Sequence, residues 1–116
     1  MLTLQEVKDF DRSITKTNDA LFKIIFKIEE GTIIKDSISK RLILIHSDID
    51  KLEKDLPNTM KAFAQEAWGK VLDLLEQVPK STDLHDLLSE LKAVKQILNS
   101  ILSSLYRLSR QSSSNS

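Results

Sequence analysis

Four stretches of this chain carry apolar side chains in alternating steps of three and four residues. Each stretch ends where glycine, proline or a run of small polar residues interrupts it. That spacing puts the apolar positions on one stripe of an α-helix, and a chain with four such stripes must bury them against one another. The first runs through Val7, Phe10, Ile14, Thr17, Leu21, Ile24 and Ile28, interrupted only by the hydroxyl of Thr17. Before it, Thr3 and Glu6 have the spacing of a reciprocal N-terminal cap, with Leu2 placed to pack on Val7. After it, Gly31 can adopt the left-handed conformation that closes a helix without a Cβ clash.

Thr32 is the expected cap of a second helix with the core series Ile34, Ile38, Leu42, Ile45, Ile49, Leu52 and Leu56. Pro57 cannot donate a backbone hydrogen bond and restrains Leu56, so this helix ends there and a third begins at Asn58 or Thr59. The third stripe is Met60, Phe63, Ala67, Val71, Leu74 and Val78, flanked by Ala64, Trp68 and Leu75, and Pro79 ends it. Ser81, Thr82 and Asp83 supply candidate caps for a fourth helix through Leu84, Leu87, Leu91, Val94, Leu98, Ile101, Leu105 and Leu108. The final run, 111–116, has no apolar side chain to bury and is expected to be a disordered Ser-rich tail.

The connections are a few residues long, which makes successive helices antiparallel neighbours. The expected fold is all-α: one domain over 1–110, an antiparallel up-down-up-down four-helix bundle. With 116 residues, two glycines and two prolines, the chain suits one helical core better than two cores or a β-rich fold. The same spacing also serves coiled coils, so pairing with a second copy is the structural alternative.

Charge and composition exclude more than they identify. Lys plus Arg and Asp plus Glu each number 17, which gives no net attraction to nucleic acid. No cysteine is present, so disulfides and thiolate metal sites are excluded, and an intracellular, cytoplasmic setting is expected. No apolar run is long enough to span a bilayer, and the first residues include acids rather than the basic and apolar regions of a signal peptide.

Neither histidine has the company that catalysis or metal binding needs. Carboxylate di-metal sites in bundles use Glu-x-x-His, whereas Ile43 and Thr82 stand three residues before His46 and His85. His46 precedes Asp50 by one turn, a spacing that could share a metal and that also occurs on ordinary solvated surfaces. Phosphotransfer through His46 is disfavoured by the negative charge of Asp48 and Asp50 beside it. No nucleophile motif or phosphate loop is present. Neither enzyme activity nor a cofactor is expected.

The informative residues are those off the core stripes. Phe22 and Phe26 project roughly 100 to 140° from the centre of the first stripe, at about 100° per residue. Ile43 and Leu44 are displaced similarly on the second helix, and Trp68 and Leu72 extend the third. An outer patch joining Phe22 to Ile43 and Leu44 is one reading; flanking positions of a wide bundle are the other. Lys8, Arg12, Lys16, Lys23 and Lys27 form a basic ridge on the first helix, although Asp9, Asp19 and Glu30 lie among them. From Gln96 to Tyr106 the fourth helix carries no charge, and Ser100, Ser103 and Ser104 would permit close approach by another helix.

The leading expectation is a non-catalytic protein–protein interaction module, an adaptor or a subunit of a helical complex. Its expected partner-binding residues are Phe22, Phe26, Ile43, Leu44, Trp68, Leu72, Ser100, Ser103 and Ser104. A lipid-surface binder using the basic ridge and the two phenylalanines is the second class.

Overall fold

The computed structural model describes residues 2–114, with side chains through Arg110. Four α-helices run along the chain: α1 (Leu4–Glu30), α2 (Lys35–Asp55), α3 (Asn58–Gln77) and α4 (Leu88–Ser114). Helix α1 packs on α2, α2 on α3, α3 on α4, and α4 closes the ring on α1. This is the antiparallel up-down-up-down bundle, measuring 55 × 23 × 19 Å. One pole holds the Gly31 turn and the α3–α4 connection; the other holds the Pro57 turn.

Local sequence accounts for the helix ends. Thr3 Oγ1 accepts from the Glu6 amide at 3.1 Å, and the Thr3 amide donates to Glu6 Oε1 at 3.2 Å. The pair satisfies two of the amides that a helix start leaves open. Gly31 has φ +73°, and the amides of Gly31 and Thr32 donate back to the carbonyls of Ile28 and Lys27, both at 3.0 Å. Between α3 and α4 lie two 3₁₀ turns, Val78–Lys80 and Leu84–Leu87, the second capped by Asp83 accepting from the His85 amide at 3.0 Å.

Ile14, Ile45, Val71 and Leu98, one from each helix, are at most 1% exposed and belong to one continuous core. A fully buried Leu or Ile contributes on the order of 1.5–3 kcal/mol relative to its exposed state, so this convergence is the main source of stability. Thr17, the polar break in the first stripe, is buried without leaving an open donor. Its Oγ1 donates to the Ser13 carbonyl at 3.1 Å.

Three sequence expectations are corrected. Thr32 does not cap α2: its hydroxyl faces back to the Lys27 carbonyl at 3.4 Å, and Ile34 occupies the cap position without a side-chain bond. Ile33 enters the core in place of Ile34, which is 70% exposed, because the non-helical link resets the phase assumed for the stripe. In α3, Ala64 is buried and Phe63 is 44% exposed, the reverse of the order that side-chain size suggests. Small Ala64 and Ala67 let the neighbouring helices approach, and the larger ring is left at the flank. Of the tail expected over 111–116, the backbone of 111–114 continues α4; the rest of that expectation lies outside the described residues.

Candidate functional site

The expected partner-binding residues fall on different seams of the bundle. Phe22 and Phe26, 54% and 50% exposed, stand one turn apart on α1 with ring centroids 6.2 Å apart and planes inclined by 20°. Phe22 leans toward α4, where Lys95 Nζ lies 5.1 Å from the centre of its ring. That distance allows the ammonium to be attracted by the face of the ring. Phe22, Ile25, Glu29, Lys92, Lys95, Gln96 and Asn99 line a hollow of about 400 Å³ there.

Two polar rungs continue this seam toward the other pole. Asn18 Nδ2 donates to Asn99 Oδ1 at 2.7 Å, and the Tyr106 hydroxyl donates to the Asp11 carboxylate, which also accepts from Thr15 Oγ1 at 2.9 Å. The bond to Asp11 is the first cause that raises the Tyr106 hydroxyl above its ordinary pKa, because ionisation would abolish the donor. The contacts Tyr106–Asp11, Asn99–Asn18 and Lys95–Phe22 step along both helices in opposite directions by equal intervals. They therefore lie on one edge and fix the antiparallel register.

The opposite seam, α2–α3, is aromatic. His46 and Trp68 meet with ring centroids 4.5 Å apart, and Trp68 packs partly buried against the core. His46 Nε2 and Trp68 Nε1 are both buried without a hydrogen-bond partner. Ile43 stands three residues before His46 and Leu72 four after Trp68, which puts them level within about 1.5 Å on antiparallel helices. At 58% and 39% exposed, they rim the aromatic pair. Leu44, 67% exposed, turns to the other edge of α2. That edge faces α1, since Lys51, one heptad farther along, lines a hollow of about 380 Å³ with Glu6, Asp9, Phe10 and Ser13. Phe22 thus shares no patch with Ile43 and Leu44.

The serines of α4 divide as well. Ser100 Oγ donates to the Gln96 carbonyl at 3.0 Å, Ser103 is exposed, and Ser104 lines a third hollow with Phe63, Arg107 and Leu108. Sequence reasoning missed Phe63 and Ile34 as surface residues. An available signal was the closer match of Ala64 than of Phe63 to the phase set by Met60, Ala67 and Val71.

The His46–Asp50 pair is not assembled as a metal site. His46 faces Trp68, while Asp50 Oδ2 lies 3.6 Å from Lys54 Nζ. Among the described residues no group of three His, Cys, Asp or Glu is placed to hold a metal ion. His85 Nδ1 lies 3.0 Å from Asp83 Oδ1 on an exposed turn. The backbone bond from His85, then its ring, holds the Asp83 carboxyl below its ordinary range. On the basic ridge, Arg12 pairs with Asp9 at 3.9 Å, whereas Lys8, Lys16, Lys23 and Lys27 form no ion pair among the described residues.

Family models, curated proteins and solved structures give no match to this chain. The surface itself is therefore the basis for a functional reading. No helix among the described residues is long and apolar enough to cross a membrane.

Proposed function

We propose that this bundle is a non-catalytic interaction module, an adaptor or subunit of a larger helical assembly, that binds partner helices on its seams. One observation carries the reading. The core is continuous across all four helices, yet Phe22, Phe26, Ile43, Leu44 and Leu72 remain between 39% and 67% exposed, distributed over several edges of the bundle. Burial of each on a partner would be favourable at about 25 cal/mol per Å² of apolar surface, and a groove between helices accepts the ridge of another helix.

The test is affinity capture from the native source, using the wild-type chain and two folded double variants, Phe22→Ser/Phe26→Ser and Ile43→Ser/Leu72→Ser. A bound protein should fall at least about tenfold with one variant, since interface anchors commonly contribute 2 kcal/mol or more. Capture indifferent to both variants, with unchanged circular dichroism, would remove the basis of the proposal.

A further inference from the structure

We propose that the α1–α4 groove around Phe22 and Phe26 binds an acidic amphipathic helix, an assignment that rests on the interaction-module reading and deepens it. The floor is apolar: Phe22 and Ile25 line it, and Phe26 stacks on Phe22 just outside. The rim is cationic. Lys92 and Lys95 line it from α4, while Lys23 and Lys27, two heptads beyond Asp9 and Ser13 of the α1–α2 hollow, lie on the other side of α1. Neither Lys92 nor Lys95 forms an ion pair among the described residues, whereas Lys54 and Lys70 each hold a carboxylate. The acids near the groove are Glu29, one carboxylate in its lining against the two lysines, and Asp19 one turn below Phe22. Positive charge is thus in excess around an apolar concavity, which favours carboxylates flanking an inserted side chain.

The shape selects a helix over a lipid surface. A bilayer takes residues that project from a convex face, while this site is a hollow of about 400 Å³ whose first ring lies beneath Lys95. The hollow suits large apolar side chains recurring at positions i, i+3 and i+7 of a docked helix, with glutamates or aspartates beside them. The lower limit of the groove is set by the Asn18–Asn99 rung.

The experiment is selection from a displayed library of helical peptides. Each has leucine at three-four spacing, and its remaining positions are randomised among Glu, Lys, Gln and Ser. The full chain serves as bait. Enriched peptides should be acidic, bind at least about tenfold more weakly to Phe22→Ser/Phe26→Ser, and weaken with added salt. Lys92→Glu/Lys95→Glu should shift the preference toward lysine-bearing peptides, and these substitutions, at exposed Lys92 and half-buried Lys95, keep the test available if the phenylalanine variant does not fold. Neutral or basic winners, or acidic winners indifferent to both variants, overturn the assignment. Winners that instead lose binding with Ile43→Ser/Leu72→Ser leave the interaction module standing and move its site to α2–α3. Enrichment of no helix removes both. Phe22-dependent sedimentation with phosphatidylserine vesicles, without peptide binding, would replace the helix by a lipid surface.

Discussion

The α1–α4 and α2–α3 seams lie on opposite sides of the same bundle and are fastened by different chemistry. The first joins helices from the two ends of the chain through Asp11–Tyr106 and Asn18–Asn99, with Lys95 over Phe22 as a third contact. The second joins helices adjacent in sequence by packing the tilted rings of His46 and Trp68, and it leaves a nitrogen of each ring without a partner, as the first leaves Asn18 Oδ1. Short turns already constrain α2 against α3. The pair α1 and α4 is separated by the whole chain, and directional hydrogen bonds there select one register among those that leucine-rich stripes alone would allow.

The largest expected effect on this contrast comes from Trp68→Ala. Truncating a large aromatic that packs on the core costs about 3 kcal/mol. Urea denaturation followed by circular dichroism measures it, and a loss below about 1 kcal/mol would mean that the Trp68 ring does not hold the α2–α3 seam. A smaller effect belongs to the other side. Asn18→Ala and Asn99→Ala should each cost about 1 kcal/mol, and the double variant should cost less than their sum, because the two amides serve one hydrogen bond. Strict additivity in that cycle would dissolve the rung.

The smallest effect is spectroscopic and depends on pH. Tyr106 should titrate above its ordinary value of about 10, and Asp11→Asn should bring it back down, as followed by tyrosinate absorbance. The sign of the linkage follows from the folded state favouring the protonated hydroxyl. Its stabilisation is complete below the unfolded value and is lost as pH rises through the higher folded one. An unshifted titration would show that the Asp11 bond does not persist in solution.

The helices, their antiparallel order and the convergence of Ile14, Ile45, Val71 and Leu98 were legible because three-four spacing reports which face is buried. The Thr3–Glu6 cap and the Gly31 stop were legible because their chemistry is local. Ile33 and Ile34 exchanged roles because periodicity has no meaning across a link whose backbone is not helical. Phe63 and Ala64 exchanged roles because size was weighed above phase. The site was legible only as a set of off-stripe residues. Which seam each occupies depends on the rotation of its helix against its neighbours, so Phe22 meeting Lys95, far along the chain, has no local signature. The serines of α4 likewise gave no warning that Ser100 would bond its own backbone.

The odd-even direction of the four helices has a practical corollary for anyone handling the protein. Helix α1 starts and α4 finishes at the pole that also holds the Pro57 turn, whereas Phe22 lies about 27 Å away along α1 at ~1.5 Å per residue. A fluorophore, an affinity handle or a fused domain attached at either terminus therefore stands clear of the phenylalanine groove. The same proximity would let a short bridge join the two termini, with new ones opened at exposed Thr32. In such a rearranged chain α4 would run directly into α1, and the seam now held by core packing and side-chain contacts would gain a covalent tether.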